Sequence, residues 1–155
     1  MSFALEKAVG PKSGLPQSSA GSNPASRLNI SVVFTSVEAT LAALREAGAL
    51  ADRLAARITL LVPQVVPYPL PLQSPPVLLD WSQRRFRVIA SESTVETRVQ
   101  LYLCRDRLQT LKSVLKPRSV IVIGGRRRWW WPTSEEALAR TLRRAGHEVI
   151  FKGTE

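Results

Sequence analysis

The chain of 155 residues holds one cysteine, Cys104, and one histidine, His147. A single thiol cannot form an internal disulfide, so nothing ties the chain to an oxidising compartment. No stretch approaches the ~18 consecutive apolar residues of a spanning helix. Glu6 and Lys7 interrupt any apolar leader core in the opening MSFALEKAV, so a cytoplasmic location is expected. Metal-ligand spacings are missing, and so is a serine-centred nucleophile elbow. Cys104 stands beside Arg105 but has no evident base partner, which favours an inert buried thiol over a nucleophile. His147 precedes the last apolar run, where histidine more often caps a helix or stays on the surface than acts as a base. No catalytic residue, no metal and no enzymatic activity are expected.

What the chain has in excess is positive charge, unevenly spread. Residues 1–80 carry six Lys and Arg against five Asp and Glu, while residues 81–155 carry sixteen against seven. The second half therefore attracts anions. A net charge of +10 raises the question of nucleic acid. Yet no DNA- or RNA-binding motif is present, and arginines at 84–87 and 140–144 read as solvated helix faces, so nucleic acid is not the expected partner.

The length suits about one domain. Residues 1–26 mix Gly, Pro, Ser and Asn with few large apolar groups, a composition expected to form a flexible tail. Residues 27–155 form the domain. NISVVF reads as a strand buried on both faces. Thr35 or Ser36 then caps a helix whose apolar face is Val37, Leu41, Leu44, Gly48, Ala51 and Leu54. RITLLV is the second strand. PQVVPYPLPLQSPP follows with six prolines in fourteen residues, which excludes a central strand and predicts an extended segment at the sheet's edge.

Residues 77–91 place Leu79, Ser82, Phe86 and Ile89 on one helical face. TRVQLYLC is a strand, RDRLQTLKSVLKP a helix stopped by Pro117, and SVIVIGG the clearest buried strand. Thr133 and Glu136 form a T-x-x-E capping box, Leu138, Leu142 and Ala145 the buried stripe behind it, Gly146 the helix stop and HEVIF the last strand. Strict alternation predicts an α/β fold: an open five-stranded parallel sheet with helices on both faces. Ligands of such sheets sit beyond the carboxyl ends of the strands at a topological switch point. Two loops are in view there, FTSVE and GGRRRWWWPTS.

The order of elements, the proline-rich segment after the second strand and the sequence VIVIGG before a Thr/Ser-started helix resemble the universal stress protein family over residues 28–152. The resemblance implies a five-stranded Rossmann-like α/β domain, homodimers paired through the last strand, a role in stress response and, in one branch, binding of ATP. That branch carries an acidic residue at the end of strand one and a G-x2-G-x9-G-[ST] loop after strand four. Here Thr35 and Ser36 stand near the acidic position. Gly124 matches the first glycine, but Arg127 takes the second, and Ala137 and Leu138 fall at the final Gly-[ST]. With a shortened loop, Thr133 and Ser134 occupy the helix start.

Two readings of the loop stay open. In one, Thr35, Ser36, Gly124, Gly125, Arg126, Arg127, Arg128, Thr133 and Ser134 hold a phosphorylated ligand, with glycines for close approach and arginines for charge-assisted contacts. Glu135 and Glu136 oppose this, since they complement the helix dipole themselves. In the other, the glycines are only a turn, and Trp129, Trp130 and Trp131 contact a protein partner or an anionic membrane surface. A blander outcome for the tryptophans is a roof over the sheet edge, packed on the proline-rich segment near Tyr68.

Overall fold

The computed structural model describes residues 3–9, 28–73 and 79–154. In chain order its elements are β1 (Phe3–Val9), β2 (Asn29–Val33), α1 (Val37–Leu54), β3 (Arg57–Val65), α2 (Leu79–Ser91), β4 (Thr97–Cys104), α3 (Arg107–Val114), β5 (Val120–Arg126), α4 (Ser134–Arg144) and β6 (Glu148–Thr154). The sheet order is β1-β4-β3-β2-β5-β6. Strands β2 to β6 pair in parallel, which is the expected five-stranded α/β sheet.

Apolar side chains on both sheet faces explain why the central strands read as unbroken apolar runs. On one face Ile30, Val32, Ile58, Leu60 and Val122 meet Ala43, Leu44, Ala47 and Ala51 of α1 and Phe86 and Ile89 of α2. On the other, Val33, Ile121 and Ile123 meet Leu111 of α3 and Leu138, Ala139 and Leu142 of α4. Helices thus cover both faces, as a doubly wound sheet requires.

Four local expectations need correction. The proposed tail contains β1, which pairs antiparallel with β4 from Phe3↔Leu103 to Val9↔Thr97; residues 1–2 and 10–27 lie outside the described residues. An unpaired β4 edge would expose a row of N–H and C=O groups, and β1 satisfies them. Next, Pro63 sits inside β3, between β2 and β4 in the sheet. Phe34 N–H donates to Leu61 O at 2.9 Å, so Leu61 faces β2, and alternation turns Pro63 the same way. Since β2 has ended at Val33, the missing proline donor removes no ladder bond.

The buried stripe of α1 is Ala39, Thr40, Ala43, Leu44, Ala47, Gly48 and Ala51, and Leu54 is half exposed. Small residues let this helix approach the sheet closely, and Leu54, in the last turn, has run past its edge. Finally, α4 buries Ala139 with Leu138 and Leu142, whereas Ala145 is its exposed C-cap. Gly146 follows at φ +96°, the left-handed conformation that closes the helix.

Candidate functional site

The central strand β2 is short. It stops at Val33, opposite Leu61 and Ile123, while β3 runs on to Val65 and β5 to Arg126. A notch therefore opens at the carboxyl edge between the ends of β2 and β5. This is the point where the strand order reverses, since the chain moves from β2 to β3 on one side and reaches β5 on the other. The notch is a cleft of about 450 Å³, inside the ~300–1,000 Å³ range of small-molecule sites.

Thr35, Ser36 and Glu38 form one wall, Gly125, Arg126 and Thr154 another, and Arg128 with the Trp131–Glu135 stretch the rim. Two helices begin here. The Ser36 hydroxyl accepts from Ala39 N–H at 3.3 Å and caps α1. At α4, Thr133 Oγ1 accepts from Glu136 N–H at 3.3 Å while Glu136 Oε2 accepts from Thr133 N–H at 3.1 Å, which completes the capping box. The first-turn N–H groups of Val37, Glu38, Ser134 and Glu135 have no intrahelical acceptor. Two positive helix ends thus converge on one cleft, joined by the Arg126 and Arg128 side chains. The carboxylates of Glu38 and Glu135, also on its lining, reduce that positive field.

Of the residues expected to hold a phosphorylated ligand, Thr35, Ser36, Gly125, Arg126, Arg128, Thr133 and Ser134 come together on the lining. Gly124 and Arg127 do not. A Cβ on Gly124 would lie 1.9 Å from the Ala39 carbonyl oxygen, so this glycine lets β5 touch the backbone of α1. Thr35 Oγ1 donates to Gly124 O at 2.8 Å and ties the two loops together beneath the cleft. Arg127 turns away toward β6, its guanidinium 6.0 Å from the Phe151 ring centre and its stem against Gly153.

Sequence reasoning missed Glu38 and Thr154. Thr154 is paired with Arg126 in the β5–β6 register, three residues beyond the end of the expected strand HEVIF. Glu38 follows from α1 starting at the same edge.

Trp129, Trp130 and Trp131 are 91, 81 and 78% exposed, so none roofs the sheet. Trp129 and Trp130 stack on each other, ring centres 5.6 Å apart, and only Trp131 lines the cleft. Tyr68 is exposed as well, with the Arg105 guanidinium 4.1 Å from its ring centre.

The two chemically versatile side chains lie elsewhere. Cys104 is buried and its thiol donates to Gln64 O at 3.7 Å; burial pushes its pKa up. His147 Nδ1 accepts from Ser119 N–H at 3.2 Å, fastening the entry to β5. A second groove, of about 540 Å³, lies at the amino edge, lined by Ser31, Thr59 and Gln100 of the sheet and by the stretch from Val114 to Val120 that follows short α3. That is the wrong end for the ligand of a parallel sheet. Among the described residues no group of His, Cys, Asp or Glu could hold a metal ion, and no helix is long and apolar enough to cross a membrane. No protein-family model matches the chain, and no curated protein matches it.

Proposed function

We propose that this chain is a non-enzymatic regulatory domain resembling universal stress proteins, and that it binds a phosphorylated ligand, ATP foremost, in the switch-point cleft. One observation carries the reading: the amino termini of α1 and α4 meet Arg126 and Arg128 around a cleft of ligand size at the order reversal of the sheet. Helix N-termini present N–H donors and positive dipole ends to anions. Arginine adds forked donors suited to phosphate, and its charge offsets the carboxylates of Glu38 and Glu135. The nucleoside part rests on the family resemblance, and so does a homodimer. Strand β6 supports the dimer to the extent that its outer ladder is unpaired among the described residues.

Calorimetric titration of the full chain with ATP and Mg²⁺ tests the reading. Saturable binding well below millimolar is expected, and Arg126→Gln combined with Arg128→Gln weakens it at least about tenfold, since each guanidinium contributes charge-assisted hydrogen bonds of about 1.5 kcal/mol or more. A folded protein that gives no heat, or a double variant that binds as tightly as the parent, would sink the assignment.

A further inference from the structure

Helices in a parallel α/β sheet run back against the strands. The carboxyl ends of β3 and β5 and the amino end of α2 therefore share one edge of the molecule. Tyr68 and Leu70 stand there beyond β3, Trp81 in the first turn of α2, and Trp129 to Trp131 beyond β5. Among the described residues every exposed tryptophan and tyrosine lies on this edge; the exposed large apolar side chains away from it, Leu28, Leu54 and Val88, are all aliphatic.

Arginines accompany the rings. Arg105 lies 4.1 Å from the ring centre of the exposed Tyr68 and Arg85 5.5 Å from that of Trp81, and Arg126 to Arg128 lead directly into Trp129. The acids of this edge are partly engaged: Asp106 Oδ1 accepts from Gln109 N–H and Glu136 Oε2 from Thr133 N–H, while Asp80 beside Trp81 and Glu38 and Glu135 on the cleft lining offset part of the arginine charge.

We propose that this edge docks on an anionic lipid bilayer, with the indoles in the headgroup layer and the arginines facing lipid phosphates and carboxylates. Indole is amphipathic and favours the membrane–water boundary, and basic side chains beside it are drawn to anionic leaflets. Geometry favours a bilayer over a protein partner. Protein hot spots place aromatic anchors in complementary pockets, but here the rings project from three separate segments, and Trp129 and Trp130 line neither the cleft nor the amino-edge groove. A bilayer accepts rings from any loop that reaches its depth. Nothing in this inference requires a bound nucleotide, so it and the proposed function fail independently.

The test mixes the full chain with phosphatidylcholine vesicles, with and without phosphatidylserine, and follows co-sedimentation and tryptophan emission. Binding to the anionic vesicles alone, with a blue shift, is expected. Trp129→Ala with Trp130→Ala weakens partitioning at least about tenfold through lost apolar burial. Arg85→Gln, outside the cleft, weakens it about fivefold through one lost surface charge. Circular dichroism checks that both variants keep the fold. The proposal is overturned by an unbound wild type, by equal binding to neutral vesicles, or by a tryptophan double variant that binds like the parent. Capture of a protein partner by the loop without vesicle binding would overturn it too.

Discussion

Gly124 and Gly125 are neighbours in sequence but meet different surroundings, the Ala39 backbone for the first and the Glu135 and Phe151 side chains for the second. Gly124 touches the α1 backbone, which cannot swing aside, so Gly124→Ala should destabilise the fold by about 3 kcal/mol or more in urea unfolding. Gly153→Ala meets only the movable Arg127 side chain and should cost less than about 1 kcal/mol. Equal costs would show that α1 yields as easily as an arginine. The sequence displayed both glycines of the loop, but their partners come from across the fold, about which local pattern is silent. For the same reason spacing could not foresee that Arg127 would turn from the cleft.

Cys104 makes a second prediction at this scale. Burial raises its folded pKa above the ordinary thiol value, so the folded protein holds its proton to higher pH than the unfolded chain does. Its contribution to stability is full below the unfolded pKa and is lost as pH rises through the folded one. Stability measured from neutral to alkaline pH should fall less steeply in Cys104→Ala, and a thiol reagent should react with the wild type only as it unfolds. Rapid labelling of the folded protein would contradict the burial.

Among the elements, α4 was the most legible, because T-x-x-E is a local device that needs no distant partner. Thr133→Ala should cost about 1 kcal/mol. Combined with Glu136→Ala it should cost less than the sum of the two, because both changes break one reciprocal pair. Strict additivity in chemical denaturation would mean that the box is not formed. Strand β4 was read to the residue, from Thr97 to Cys104. Strand β1 was not, because the Gly, Pro and Ser of the residues after it coloured the whole opening segment, and an edge pairing with Thr97 to Leu103 leaves little mark on the strand that joins. Pro63 misled in the opposite direction. A proline is excluded from a strand by its neighbours' needs, and the sequence could not say that β2 would end two residues too early to ask for a donor.

For the whole molecule, the doubly wound order explains why loops far apart in the chain, at 35–38 and 125–135, share one cleft. Sequence alternation alone was enough to name both. The excess of cations, most of it in residues 81–155, should also act globally by self-repulsion. Raising sodium chloride from low to moderate ionic strength should lift Tm by about 2–4 °C, equivalent to about 1 kcal/mol for a chain of this size. A Tm that falls or stays level would show that local pairing already neutralises the repulsion. The early end of β2 has one more consequence. The floor of the cleft is main chain, held by Gly124 against α1 and by the hydroxyl of Thr35, while Arg126 on its wall and Arg128 and Trp131 on its rim are exposed to solvent. The fold leans on that floor and on the Thr133 cap but not on these three exposed side chains, so substitutions there would change the charge and shape of the cleft at little cost to stability.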